Sequence, residues 1–246
     1  MLWWDEGLCR MLADHGRFVV RYDHRDTGRS VTYPHGRPGY SFDDLIADAV
    51  GILDAYGIPA AHVVGVSMGG AIAQLLALDF ADRVRSLVLI STSFAVPTER
   101  ALPRSSARFA QFVETAEVDW SDASSVAGYV VDYLRVLAGE QREFDEAAVR
   151  DLIRRDAERA RDFTAAHNHD LLEGDGRTRE PLSSLAIPTL VIHGSADPMF
   201  PPGHGEALAD EIRGARFLAL DGAGHGVERA DWETIAGAIA EHTARR

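Results

Sequence analysis

The sequence predicts an α/β fold, in which helices cover both faces of a mostly parallel, doubly wound sheet. Three observations predict it. Short runs rich in β-branched residues recur along the chain, segments with helical spacing of apolar residues separate them, and polar loop residues follow several of the runs. The 246 residues, 46% of them hydrophobic, can bury one core of ordinary size. One compact domain with an insertion fits this length.

Five apolar runs bounded by turn residues are the predicted strands. They are Phe18–Tyr22, His62–Val66, Ser86–Ile90, Thr189–His193 and Arg216–Leu220. Runs of this kind are typical of parallel strands that are buried on both faces. Strand and helix in repetition therefore predict a doubly wound sheet.

The segments between and after these runs carry helix signals. Phe42–Tyr56 follows a possible N-cap at Ser41 and stops before Gly57. Gly70–Asp79 has apolar residues at helical spacing, and so does Trp232–His242 near the end of the chain. We expect the last of these helices to cover the final strand.

Residues 97–184 break the alternation of strand and helix. They carry helical patterning, many charged residues and scattered aromatic residues such as Trp120, and they contain no convincing strand. We interpret them as a helical lid inserted into a core formed by residues 1–96 and 185–246. We interpret the aromatic residues as the core of the lid in preference to substrate contacts.

Charge and composition exclude several classes of protein. Lys and Arg total 25 against 38 Asp and Glu, and the net charge of −13 repels nucleic acids and anionic lipid headgroups. The most apolar stretch, Val63–Leu78, is too short and too polar to span a membrane. A single cysteine, Cys9, and the absence of a secretory signal after Met1 favour a cytoplasmic protein.

The run Gly65–Gly70 has the sequence Gly-Val-Ser-Met-Gly-Gly and lies between a predicted strand and a predicted helix. This is the setting of a nucleophile elbow, in which a tight turn presents a serine hydroxyl at a helix N-terminus. Glycine neighbours are needed because the turn leaves no room for side chains. Ser67 is the predicted nucleophile. A glycine-rich turn with an incidental serine is the alternative.

A serine hydroxyl needs a base, and the base needs a carboxylate to orient it. Asp197 follows the predicted strand Thr189–His193, and His225 follows the predicted strand Arg216–Leu220. Open α/β sheets assemble their sites at the carboxyl ends of the strands, so both side chains are expected at one edge. His225 is the predicted base and Asp197 the predicted acid.

Other polar residues could take part. Asp23, Asp26 and Asp221 also lie in loops at strand ends and could replace Asp197 as the orienting acid. His193 sits at a strand end and is interpreted as a packed or backbone-bonded histidine.

A metal site is not predicted. His167 and His169 lie close together in sequence but point to different faces of a helix, and no i, i+4 pair with a glutamate on the same helix accompanies them. We therefore expect no metal and no organic cofactor.

Several motifs together resemble the α/β-hydrolase superfamily. They are Val20–Ser30, Gly65–Gly70, Leu87–Ile90, His193–Pro198 and Gly222–His225, with the nucleophile, acid and histidine in the order of that family. Within it, Arg21–Ser30 is most similar to the aclacinomycin methylesterase group, whose members cleave a methyl ester on a polyketide. The resemblance implies an esterase that forms an acyl-enzyme on Ser67 and takes a small-molecule ester as its substrate.

One part of the family pattern is not found in this sequence. The family has an antiparallel strand pair and then a strand with an oxyanion loop before the helix that corresponds to Leu2–Ala13. In the family's sheet that strand lies between Phe18–Tyr22 and His62–Val66. The resemblance then leaves the Met68 amide as oxyanion donor, and the loss of one donor costs about 100- to 1000-fold in rate. Either the natural start lies upstream or the chain is a catalytically impaired relative.

Other reactions use the same three residues. Cofactor-free haloperoxidases, which these motifs also resemble, perform perhydrolysis, and carbon–carbon bond hydrolases and lactonases share the arrangement. A non-catalytic binding protein is a further alternative, because the strand with the oxyanion loop is missing and a fold alone does not establish a function. The sequence makes no prediction of oligomeric state.

Overall fold

The computed structural model describes residues 1–174 and 176–244 and confirms the α/β fold. Four parallel strands form one sheet in the order in which they occur along the chain. They are β1 (Ala61–Val66), β2 (Val84–Ile90), β3 (Thr189–Gly194) and β4 (Arg216–Leu220). Residue 175, within the predicted lid, and residues 245 and 246, at the end of the predicted core, lie outside the described residues.

The described part of the chain also contains eight α-helices. They are α1 (Glu6–Asp14), α2 (Phe42–Ala55), α3 (Met68–Asp79), α4 (Ala107–Thr115), α5 (Ala123–Leu137), α6 (Glu146–Arg159), α7 (Gly203–Glu211) and α8 (Trp232–Ala244). The Ser41 side chain accepts from the Asp44 amide, and Asp44 accepts in return from the Ser41 amide. This reciprocal cap fixes the start of α2. Gly57, with φ of 65°, follows its end as predicted.

Helices cover both faces of the sheet, because successive side chains of a strand point in opposite directions. Leu87 and Leu89 of β2 pack in the cluster that includes apolar side chains of α2, α3 and α7. Val88 and Ile90 of the same strand pack in the cluster formed with α1 and α8. All four side chains are fully buried. Leu220 of β4 lies in the same cluster, so the C-terminal helix α8 packs against the final strand as predicted.

The prediction of a strand at Phe18–Tyr22 is wrong. In the described structure this segment belongs to no strand, and β1 has a strand partner on one side only. Residues 18–22 and 61–66 instead line the same cavity of about 1510 Å³. A strand requires a neighbour that pairs with its N–H and C=O groups, and apolar composition alone does not supply one. Phe18 consequently remains 76% exposed.

The segment between β2 and β3 is helical, with α4, α5 and α6 followed by a 3₁₀ segment, Thr164–Leu171. Its aromatic side chains contact one another, and the Trp120 ring stacks on His167 at 3.7 Å between centroids. Arg159 of α6 forms a bidentate ion pair with Asp23 of the core. The division of the chain at residues 97 and 184 stays a prediction.

From the sequence we expect no helix that spans a membrane. Within residues 1–174 and 176–244, no helix combines the length and the apolar character needed to cross a membrane.

The centre of the sheet should dominate stability. Leu89 of β2 is 0% exposed, whereas Leu171 at the end of the 3₁₀ segment is 44% exposed. We expect Leu89→Ala to lower the free energy of unfolding by about 2–5 kcal/mol, because it leaves a cavity in a packed core. Leu171→Ala, the matched control, should change it by less than about 1 kcal/mol. Urea unfolding measures both, and equal losses would contradict this account of the core.

Candidate active site

Ser67 lies in a strained turn at the carboxyl end of β1, directly before α3. Its φ of 52° and ψ of −118° are unfavourable for a residue with a side chain. The turn is held by backbone hydrogen bonds. The Ser67 amide donates to the Ile90 carbonyl at 3.0 Å, and the Ser67 carbonyl accepts from the Gly70 and Ala71 amides. These bonds fix a conformation that the serine would not adopt alone.

Two of the three glycines around Ser67 are required by close contacts. A Cβ atom on Gly65 would lie 2.1 Å from the Gly69 carbonyl oxygen, and one on Gly70 would lie 2.7 Å from the Thr92 side chain. A Cβ atom on Gly69 would meet no described atom within 4 Å. The elbow therefore depends on Gly65 and Gly70, and the spacing of glycines in the sequence correctly indicated a crowded turn.

Asp197 lies in the loop after β3 and is 3% exposed. One carboxylate oxygen accepts from the Met199 amide at 2.9 Å and the Phe200 amide at 2.8 Å. Burial alone would raise the pKa of Asp197, but hydrogen bonds from His193, His225 and the Phe200 amide outweigh it and lower the pKa to about 2. The side chain is therefore a carboxylate at neutral pH.

His225 lies in the loop after β4, with its Nδ1 2.8 Å from the second oxygen of Asp197. Because the carboxylate can only accept, Nδ1 carries the proton and Nε2 is left as the acceptor. The backbone amide of His225 donates to the Leu137 carbonyl at 2.8 Å, so the C-terminal end of α5 holds this loop. The Phe200 ring meets the imidazole edge to face at 5.6 Å.

Ser67 and His225 line the same cavity of about 1510 Å³, together with Met68. In the described residues no hydrogen bond joins the Ser67 hydroxyl to His225. Bonds of this kind are often long before substrate is bound and tighten in the complex. The Met68 amide, in the first turn of α3, has no acceptor within the helix and is available to a ligand.

The alternative acids have other partners. Asp23 pairs with Arg159, and Asp26 accepts from Tyr40 at 2.7 Å and from Asn168 at 2.8 Å. These contacts tie the loop after residue 22 to the helical insertion.

Asp221 lies 3.5 Å from the Ser195 hydroxyl. Among the described residues, the carboxylate bonded to His225 is that of Asp197.

The histidines near residue 168 have structural partners as well. His167 stacks on Trp120 and contacts Asp170, while His169 bonds the Arg25 carbonyl at 2.8 Å. Residues 1–174 and 176–244 contain no group of three or more potential ligands able to hold a metal ion.

Two features of the site were not expected from the sequence. His193 bonds the Phe200 carbonyl at 2.7 Å, in line with the prediction of a backbone-bonded histidine, but it also lies 3.4 Å from Asp197. The four-residue spacing of these two side chains was the available signal. His24 lines the cavity, and burial lowers the pKa of its imidazole to about 4.

The family model for the α/β hydrolase fold matches residues 2–227, which include Ser67, Asp197 and His225. This chain belongs to the α/β-hydrolase family. The family predicted from the sequence motifs is thereby confirmed, and with it the doubly wound architecture.

Three relatives illustrate the range of similarity. Rhodomycin D methylesterase DauP of Streptomyces sp. strain C5 is 35% identical over 98% of this chain and 86% of its own length. Rhodomycin D methylesterase DnrP of Streptomyces peucetius is 36% identical, with the same coverage. A hydrolase from Pseudomonas aeruginosa PA01, known from its crystal structure, is 28% identical in sequence. The match covers 98% of this chain and 84% of that chain, and the two structures superimpose with a TM-score of 0.68.

The elbow geometry can be tested at Gly65. We expect Gly65→Ala to displace Ser67 and lower esterase activity by at least about 100-fold, because misplacement by about 1 Å costs this much. It should also destabilise the fold by about 1–3 kcal/mol through overpacking. Gly51→Ala is the control, because a Cβ atom there, on the exposed side of α2, meets nothing. It should stabilise the protein by about 0.5–1 kcal/mol. An active Gly65→Ala variant would contradict the crowded turn.

Asp197 should make stability depend on pH. Its folded pKa of about 2 lies below its ordinary value, so its contribution is complete above about pH 5 and is lost as the pH falls towards 2. We expect the wild type to lose about 1 kcal/mol from this group between pH 5 and pH 3. Asp197→Asn should lack that part of the loss. Urea unfolding of both proteins at the two pH values measures the difference, and parallel losses would refute the assignment.

Proposed function

We propose that the protein hydrolyses a carboxylic ester through an acyl-enzyme formed on Ser67, with His225 as general base and Asp197 as the acid that orients it. That the chain is a hydrolase acting on ester bonds follows from its family and from its methylesterase relatives. The observation that carries the mechanism is the 2.8 Å bond between His225 and Asp197, beside a cavity that Ser67 also lines.

The proposed reaction has two halves. The Ser67 hydroxyl attacks the acyl carbon while His225 Nε2 takes its proton, and the Asp197 carboxylate stabilises the imidazolium that forms. The Met68 amide donates to the oxyanion of the tetrahedral intermediate. The bond from the acyl carbon to the alcohol oxygen then breaks, and the leaving alcohol takes the proton from His225. In the second half water attacks the acyl-enzyme while His225 takes one of its protons. The bond to Ser67 breaks, the Ser67 oxygen takes that proton from His225, and the acid is released.

The proposed substrate class is the methyl ester of a bulky, largely apolar small molecule. The cavity of about 1510 Å³ also runs along β1 as far as Ala61, so its apolar lining, and not its volume, supports this class. Aliphatic side chains from α2, α3 and α5 line it, including Leu53, Ile72 and Leu134. The relatives DauP and DnrP are named as methylesterases acting on rhodomycin D. For this chain we propose the same type of bond, a methyl ester, in a similarly bulky compound, and we do not name the compound.

The expectation of a cytoplasmic enzyme without cofactor or metal, drawn from the sequence, stays a prediction. So does the expectation that neither nucleic acid nor membrane is a partner.

Covalent labelling tests the mechanism. A fluorophosphonate should label the wild type at one site, found by peptide mass spectrometry at Ser67, and should not label Ser67→Ala. Hydrolysis of a bulky aromatic methyl ester should fall to background in Ser67→Ala and by about 10⁴-fold in Asp197→Asn, where the histidine takes the wrong tautomer. Ser195→Ala, a serine in the loop after β3, is the control and should keep its labelling. A folded wild type that stays unlabelled would overturn the proposal.

A further inference from the structure

His193 has an unusual environment for a structural histidine. It is 0% exposed and lies at the carboxyl end of β3, four residues before Asp197. Its Nε2 is 2.7 Å from the Phe200 carbonyl oxygen, which can only accept, so Nε2 carries the proton. Its Nδ1 is buried and finds no hydrogen-bond partner among the described residues. The ring is therefore held in one tautomer, by one bond at one end.

The same N–H also faces the acid. The distance from His193 Nε2 to the Asp197 oxygen is 3.4 Å, and this oxygen is the one that accepts from His225 at 2.8 Å. Two imidazoles thus meet on a single carboxylate oxygen. The other Asp197 oxygen accepts from the Phe200 amide. His193 therefore bonds the carbonyl of Phe200, and Asp197 accepts from its amide. These two hydrogen bonds hold the loop that carries Asp197.

We infer that His193 is a positioning residue that fixes the Asp197 carboxylate and its loop for the reaction of Ser67. This inference rests on the proposed function of Ser67, Asp197 and His225. His193 Nε2 is a weak second donor to the Asp197 oxygen that also accepts from His225. It therefore weakens the hydrogen bond that this oxygen accepts from His225 Nδ1. Because the Phe200 ring packs against His225, the loop that His193 closes also supports one side of the base. His193 thus orients the Asp197 carboxylate and adjusts its hydrogen bond with His225, without contact to substrate.

The groups that could titrate around this cluster come from three further elements. His204 of α7 is buried and bonds the Ser93 hydroxyl and the Pro103 carbonyl. Tyr133 of α5 lies near Asp197, and burial raises the pKa of its phenol to about 12, which keeps it neutral. In the loop after β4, His225 faces the opposite side of the carboxylate. The carboxylate of Asp197 is the fixed charge among them.

A comparison of three variants tests the role. His193→Leu keeps the volume and removes the donor, whereas His193→Gln retains an amide N–H that can reach the Phe200 carbonyl. We expect His193→Leu to lower kcat by about 10- to 100-fold with KM changed less than about 2-fold, as for other residues that orient a reacting group. The acid limb of its kcat/KM profile should move to higher pH, because Asp197 loses a competing donor. His193→Gln should restore at least half of the lost kcat.

His242→Leu is the matched control. His242 is also buried and bonds a backbone carbonyl, that of Leu87 at 3.0 Å, but it lies in α8, outside the loops that carry Asp197 and His225. This variant should lose stability while keeping the wild-type acid limb. Should His193→Leu fail to fold, His193→Asn replaces it, because its shorter amide does not reach the Phe200 carbonyl.

The outcomes separate this inference from the proposed function. An unchanged kcat and acid limb in His193→Leu, or a His193→Gln variant as damaged as His193→Leu, would overturn the role of His193 and leave the function of Ser67 intact. Activity that survives in Ser67→Ala would instead overturn the proposed function itself.

Discussion

The parallel pairing of four strands is the constraint on which the site depends. Parallel strands end at one edge of the sheet, and the residues that follow them are brought together there. The ladder continues into the loops. The Ser67 amide bonds the Ile90 carbonyl at 3.0 Å, and the Ser195 amide bonds the Leu220 carbonyl at 2.9 Å. The loops of Ser67 and Asp197 are therefore anchored to the end of the neighbouring strand before any side chain contributes.

A buried negative charge imposes the next constraint. Asp197 is removed from solvent, which is costly for a carboxylate unless donors surround it. Two amides of its own loop and two imidazoles provide those donors. The arrangement explains why the pKa of Asp197 is low despite its burial. A rigid carboxylate of this kind favours one tautomer of His225, which the proposed mechanism requires.

The helical insertion contributes to the site and does not merely cover it. The Leu137 carbonyl at the end of α5 holds the His225 backbone, and Tyr133 of the same helix lines the cavity. Ion pairs join the insertion to the core, with Arg142 bonded to Asp231 and Arg159 to Asp23. The position of the proposed base therefore depends on the position of α5.

The fold class, the four strands of the sheet, the caps of α2 and the crowded turn at Ser67 could all be predicted from the amino-acid sequence. These features depend on local signals, namely periodicity, capping residues and glycine spacing. Tertiary structure decided that Phe18–Tyr22 pairs with no strand, that Asp197 and not Asp23 or Asp26 bonds His225, and that His193 shares the same carboxylate. Each of these depends on a partner distant in sequence or on space left by other elements. Hydrogen bonds of that kind leave no periodic trace in the chain, and only the packed structure shows them.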